Sequence, residues 1–322
     1  LEAVDLRLTS WTRVGLRKAK LAGALLTGAR FVEVVFEGAD LSGADLAEAS
    51  LVGADLQGVD LTGANLTGAD LTDADLRGAT FANTRLVDVT LDGAKLADLD
   101  LTSCRVVTKA IAGADLRGTR VKLGDLSGAD LRRCQLDERT ELRQCLMQEA
   151  DLSGLSAHGL TLADSNLVGA KLVGADLSDV DALQTSFMRA DLTKARMPRL
   201  AAQRADWTEA ILTQADLTEA GLQDAEMSGI VASKALFAGA CLTQARLGRA
   251  RLREAVLHRA DLSWADLSHA DLGEAVLTEA RLDHANLHRT NLRGAKLDGA
   301  SQEGARGTDP ARQQAEDFSS TR

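Results

Sequence analysis

The chain has 322 residues, 45% hydrophobic but only 3% aromatic, with 37 basic and 47 acidic side chains and a net charge of −10. The apolar fraction argues against global disorder, and the acidic balance argues against a general nucleic-acid binder, which needs a basic face. The absence of any run of 18 apolar residues argues against a helical membrane span, and four Cys in this length make no disulfide framework.

The N-terminus, Leu1-Glu2-Ala3-Val4-Asp5, has no Met and no signal-peptide pattern. We expect the cut end of a longer or processed chain and a cytoplasmic location. From there a large apolar residue recurs every five positions: Leu1, Leu6, Trp11, Leu16, Leu21, Leu26, Phe31, Phe36. The frame is cleanest from Leu41-Ser42-Gly43-Ala44-Asp45 to Leu66-Thr67-Gly68-Ala69-Asp70. Call the large residue the centre. A small residue, usually Ala, lies two before it, Asp or Asn often one before it, and Gly often two after it.

Period five fits neither regular element. In an α-helix, centres five apart smear around the axis. In a straight strand they alternate between faces. A short extended piece with a bend every five residues turns the centre and the residue two before it inward. The residues on either side of the centre then point outward, and the frequent Gly suits the bend.

The segments Ala39-Asp40-Leu41, Ala44-Asp45-Leu46, Ala54-Asp55-Leu56, Ala64-Asn65-Leu66 and Ala69-Asp70-Leu71 resemble the pentapeptide repeat proteins. So do Ala260-Asp261-Leu262, Ala265-Asp266-Leu267 and Ala270-Asp271-Leu272. The resemblance covers roughly residues 1–300. It implies an all-β chain, a right-handed quadrilateral β-helix with four pentapeptides per coil. About 60 pentapeptides then give about 15 coils stacked at about 4.8 Å, a rod on the order of 70 Å. A lone coil gains roughly 6–12 kcal/mol from four buried Leu against at least about 20 for ordering 20 residues. Stability must therefore come from stacked neighbours.

In chain order, residues 1–136 form the first stack of 28 centres, ending at Leu136. Within it, 102–125 is irregular: Cys104, Lys109 and Thr119 occupy inner small positions. A buried unpaired Lys109 is too costly, so that corner is expected to open. At 137–141 one extra residue enters, as a bulge or a small loop. The frame resumes at Leu142 and runs through a second stack, 142–302, whose last centre is Leu297. At Ala157, Ala182, Ala202 and Ala232 the centre shrinks, while Leu155, Val180, Leu200 and Ile230 stand two before it. Large and small have traded places, a volume-conserving swap that keeps a core closed; short loops or bulges there are the alternative. Residues 303–322 read as a polar tail or a short capping helix, with Asp309-Pro310 as cap and first turn. Phe318 is the only large apolar residue of that helix, so strong C-terminal dimerisation is not expected.

Chemistry-bearing residues are few. Cys104, Cys134 and Cys145 fit the small inner slot, and Cys241 falls outside. His269 and His288 fall one coil apart with no third ligand beside them, so solvated imidazoles are expected, with no metal and no cofactor. No serine nucleophile motif, phosphate loop or dinucleotide fingerprint appears. The carboxylates sit on a flat, wet, convex surface with no cleft to tune them, and no enzyme is expected.

Residues 20 apart stack, pairing Asp40 with Asp60 and Asp55 with Asp75. The candidate interaction surface is Asp40, Asp45, Asp55, Asp60, Asp70 and Asp75, together with an exposed Trp264 over which His284 stacks. Locally, Asp at a bend can simply accept backbone hydrogen bonds. Residues 1–100 carry nine basic and 16 acidic side chains, residues 241–300 nine and eight. We expect a non-enzymatic structural or protein-interaction module of a bacterial protein. Its partner would be a protein rather than nucleic acid, and no oligomeric state is implied. The resemblance also offers an alternative, a DNA-mimicking binder or inhibitor of a type II topoisomerase such as gyrase.

Overall fold

A five-residue bend and a 20-residue closure explain nearly every backbone contact in the computed structural model, which describes residues 4–320. Leu1, the first centre of the frame, lies outside the described residues. The chain divides into unit 1, Leu1–Asn166, and unit 2, Leu167–Arg322. Both are built from parallel pairings between residues 20 apart, such as Asp40↔Asp60 in unit 1 and Asp206↔Glu226 in unit 2.

The pentapeptide at Leu41 shows how the repeat satisfies its backbone. Asp40 N–H donates to Ala19 O in the coil before, at 2.9 Å. Leu41 N–H and Gly43 N–H donate to Asp60 O and Thr62 O in the coil after, each at 2.8 Å. Ala44 N–H closes the bend on Leu41 O at 3.0 Å. One N–H remains, that of Ser42, and the Asp40 carboxylate accepts it at 3.1 Å. The acidic residue before the centre is thus the acceptor for the one donor that the ladder leaves over. Gly43 has φ 64, the sign that a type II turn requires at its third residue. Non-glycine residues hold this conformation too, among them Lys194 (φ 60) and Trp264 (φ 64).

Where a side runs straighter, short strands appear. In unit 1 these are β1 (Ser10–Thr12), β2 (Arg30–Val32), β3 (Arg85–Val87), β4 (Arg105–Val107), β5 (Arg120–Lys122) and β6 (Glu141–Arg143). They pair in parallel as β1–β2, β3–β4 and β5–β6. The β5–β6 register is Arg120↔Glu141, 21 residues apart. The extra residue is absorbed in the turn Asp137–Thr140, closed by Thr140 N–H to Asp137 O at 3.0 Å. Thr140 fills the inner slot, buried, with its hydroxyl donating to Leu116 O.

The irregular segment differs from expectation by one residue. Thr108, not Lys109, turns inward, and its hydroxyl donates to Val89 O at 2.6 Å while Lys109 stays exposed. A one-residue slip is cheaper than a buried ammonium. It opens a groove of about 390 Å³ beside Thr108 and Lys109.

The core of unit 2 is a set of stacked columns. Phe187 and Trp207 lie ring on ring, 4.2 Å between centroids and 18° between planes. Ala182, Ala202 and Ala232 are fully buried beside fully buried Val180, Leu200 and Ile230. Ala157 and Leu155 in unit 1 are buried likewise. These coils stay closed: the large side chain moves two residues and the volume is kept.

The ladder runs past 302 to the pairing Asn286↔Arg306. Exposed Gln302 takes the place of a centre there, since backbone pairing continues where the inner side chain has turned polar. The chain then enters the helix α1 (Pro310–Ser320). Asp309 caps it, accepting from Ala311 N–H and, through its carbonyl, from Gln313 N–H, each at 2.9 Å. The Phe318 side chain lies outside the described residues. No helix is long and apolar enough to cross a membrane among the described residues.

Candidate interaction surface

The acidic candidates are half-buried or buried and folded back onto their own bends. Asp45 Oδ1 accepts from Ala47 N–H at 3.3 Å and Asn65 Nδ2 at 2.9 Å. Asp55 accepts from Gln57 N–H, Asp60 from Thr62 N–H and Asp70 from Thr72 N–H. Hydrogen bonds from Thr62 hold the Asp60 carboxyl below its ordinary range, and those from Ser42 do so for Asp40.

Followed along the ladder, the acidic columns are short. One reads Lys20–Asp40–Asp60–Thr80, another Val35–Asp55–Asp75–Lys95. A third runs Asp45–Asn65–Arg85 and on to Arg105. No column here carries more than two stacked carboxylates before a cation or a neutral residue ends it.

Asp75 is the most enclosed of the set, with its side chain 12% exposed. Arg77 Nε and Nη2 grip it at 2.9 and 2.6 Å, and Lys95 Nζ lies at 3.3 Å. The Arg77 fork, against burial, lowers its carboxyl to about 2. A depressed carboxylate gives stability that is present above the unfolded value near 3.9 and lost as pH falls through the folded one. Asp75→Asn is expected to cost about 1–2 kcal/mol at neutral pH, the half-exposed Arg77 discounting the full shift. Urea melts of both proteins should converge as the pH is lowered toward about 2; a gap independent of pH would show that packing, not charge, carries the effect.

A groove of about 660 Å³ lies alongside, with walls that include Arg77, Lys95, Arg117 and Arg139. This corrects the expectation of an uninterrupted convex surface: long Arg side chains and the added turn at 137–140 raise its walls. Its cations are already engaged, Arg117 with Asp115 at 2.7 Å and Arg139 with Asp137 at 2.7 Å and Asp98 at 2.5 Å.

The cysteines match their slots. Cys104, Cys134 and Cys145 are buried, and burial pushes each thiol up to about 11. Cys104 donates to Phe81 O at 2.8 Å. Cys241 is half-buried and contacts Thr243 Oγ1 at 3.6 Å.

Trp264 is 57% exposed, and the His284 ring stacks on it with centroids 4.2 Å apart and planes at 23°. The 20-residue rule placed that pair correctly. The same rule also builds an apolar column that the acidic pairs do not point to: Leu236, Val256 and Val276 stack through successive pairings, bounded by Asp216 and Lys296. Leu236 is 40% exposed. The signal was available, since a β-branched or aliphatic residue stands before the centre at each position where Asp is usual. Trp11 is half-buried, with its indole N–H donated to Thr9 Oγ1 at 2.7 Å, and Trp207 is core.

His288 overturns the expectation of solvated imidazoles. It is 2% exposed, because α1 covers it, and its Nε2 lies 3.3 Å from Glu316. The capping helix was one of the two readings of 303–322, but nothing in the sequence pattern placed it over His288.

The family model for pentapeptide repeats matches in eight copies spanning residues 12–46, 29–68, 69–105, 170–199, 202–231, 233–268 and 260–299. Among solved structures the chain is similar to HetL, a pentapeptide repeat protein involved in heterocyst differentiation regulation from the cyanobacterium Nostoc. The two are 25% identical over 94% of this chain and 89% of that one, with a TM-score of 0.28. It is also similar to a pentapeptide repeat protein of the Arabidopsis thaliana thylakoid lumen, 29% identical over 36% and 66% of the two chains, TM-score 0.26. A third is QnrB1, a plasmid-mediated fluoroquinolone resistance protein, 20% identical over 65% and 97%, TM-score 0.31. No curated protein matches.

Proposed function

The chain belongs to the pentapeptide repeat family, and from that premise we propose that it is a non-enzymatic module that presents ladder-spaced side chains to a protein partner. Proteins of the family are generally non-catalytic structural or interaction proteins. The proposal includes a right-handed, four-sided winding of about 15 coils, at about 20 residues each. The observation that carries the functional reading is Trp264, an exposed indole held rigid by its stack on His284. Large aromatics fixed in one rotamer lose little entropy on docking and are favoured anchors of interfaces. The apolar column Leu236–Val256–Val276 gives a second unsatisfied surface of the same kind.

The alternative, a duplex-mimicking binder of a type II topoisomerase, is not the reading we adopt. Phosphate mimicry needs continuous negative charge, whereas the Asp columns end at Lys20, Lys95 and Arg85 and spend a carboxylate oxygen on the bend.

The test is affinity capture from a lysate with the wild-type chain, Trp264→Ala and Val256→Asp. A discrete protein partner retained by the wild type and lost with either variant is the expected result, with gyrase supercoiling unchanged at micromolar protein. Equal capture by all three chains overturns the assignment of the surface. Inhibited or protected gyrase restores the alternative.

A further inference from the structure

Within unit 2, α1 brings a third potential ligand to the two histidines. His269 Nε2 and His288 Nε2 each lie 3.3 Å from Glu316 Oε2, and the three ligand atoms fall within 4.8 Å of one another. Ligands held about 2.0–2.1 Å from a tetrahedral Zn²⁺ lie about 3.3–3.4 Å apart. Both Glu–His separations therefore already have the length of a coordination edge. The rings meet edge to face, 5.5 Å between centroids, so their nitrogens converge without stacking. His288 is buried, whereas His269 and Glu316 are about one-third exposed, which leaves an open side for a fourth ligand.

We propose that His269, His288 and Glu316 form a binding site for a transition-metal dication of the Zn²⁺ class that clips α1 to the coils beneath it. Two imidazoles and one carboxylate suit such an ion and are too poor in oxygen for Ca²⁺ or Mg²⁺.

The neighbours define what loading changes. His288 Nδ1 accepts Asp309 N–H at 3.2 Å, so without metal the ring proton sits on Nε2 and faces Glu316. Coordination at Nε2 moves that proton to Nδ1 and opens the Asp309 contact. That contact is longer than the two 2.9 Å bonds that keep Asp309 as the helix cap. Arg289 Nη1 is 3.2 Å from the same Glu316 oxygen, while its Nη2 pairs with Asp317 at 2.5 Å. On loading, Arg289 keeps Asp317 and yields Glu316 Oε2. A guanidinium beside the dication makes the site a labile one rather than a buried structural zinc.

The experiment titrates Zn²⁺ alone into the tag-free full chain against a chromophoric chelator. One ion per chain is expected, with binding weakened at least about tenfold in His269→Gln and in Glu316→Gln. Co²⁺ should give the visible absorption of a four-coordinate site, lost in both variants. Glu316→Gln also removes the Arg289 pair and could free the helix; His269→Gln leaves that pair intact and separates metal ligation from helix docking. A double change of His158 and His258 to Gln should leave binding within about twofold. Absence of saturable binding in the wild type, or equal binding by His269→Gln and Glu316→Gln, overturns the site.

Discussion

Leu200→Ala is expected to destabilise unit 2 by about 3–5 kcal/mol, the upper range for a buried Leu whose surroundings cannot collapse. Leu200 is fully buried, and the centre it serves is only Ala202. Truncation therefore leaves a coil side with two alanines and nothing large. The ladder prevents closure, because Ala201 is paired on one side with Asp181 and on the other with Gly221. The informative partner is Ala202→Leu. Alone it overpacks the coil beside Leu200 and should cost about 1–3 kcal/mol. Combined with Leu200→Ala it reproduces the ordinary arrangement of the next coil, Ala220 with Leu222. The double variant should then lie within about 1.5 kcal/mol of the wild type, the cost of a volume-conserving exchange. Urea unfolding of the four proteins completes the cycle. Additive losses would mean that the two positions do not share one volume.

Val231→Pro should cost at least about 3 kcal/mol without touching the core. Val231 lies on the outer face, half-buried, with its N–H donating to Ala210 O at 3.0 Å and its carbonyl accepting from Leu212 N–H at 2.7 Å. Proline removes the first bond and drives its ring toward the carbonyl that accepted it. Coils in a solenoid are stabilised chiefly by nearest neighbours, so a break between two of them uncouples what lies on either side. Thermal unfolding of unit 2 should broaden or split. Val231→Thr keeps the N–H and the β-branch and should stay within about 0.5 kcal/mol. A sharp, unshifted transition in the proline variant would show that the ladder bonds here are dispensable.

The repeat was legible because its core is one-dimensional: which residue points inward depends on position modulo five, and burial follows that count from Leu21 to Leu131 and, shifted by one residue, from Leu142 to Leu282, the slip to Thr108 apart. The large-to-small exchanges were legible for the same reason, as changes of size within fixed inward positions. Thr108 was not, since a slip of one residue is decided by the relative cost of burying an ammonium or a hydroxyl, which no periodicity encodes. Trp264 and His284 could be placed by adding 20. Glu316 could not: α1 obeys a different period, and only its docking on His288 and Arg289 brings the carboxylate to the imidazoles. The Arg-walled groove escaped notice because long side chains and the added turn raise its walls, whereas the opening beside Lys109 was legible from the cost of burying an ammonium.

The way in which each bend meets its own needs separates two phases of this molecule. Within a pentapeptide, the Asp carboxylate and the turn-closing bond complete the local accounts, whichever side of the coil it occupies. Excision of one whole pentapeptide therefore leaves every inward side chain inward, yet it rotates all later residues of that unit by a quarter-turn relative to those before. The column Leu236–Val256–Val276 would be cut and spliced onto a different file of outward residues, with the interior unaware of it. The extra residue taken up in the turn Asp137–Thr140 does the opposite: pairings resume 21 apart and the files continue. The interior counts in fives and the exterior in twenties, so surface patterns can be rewritten by length changes alone.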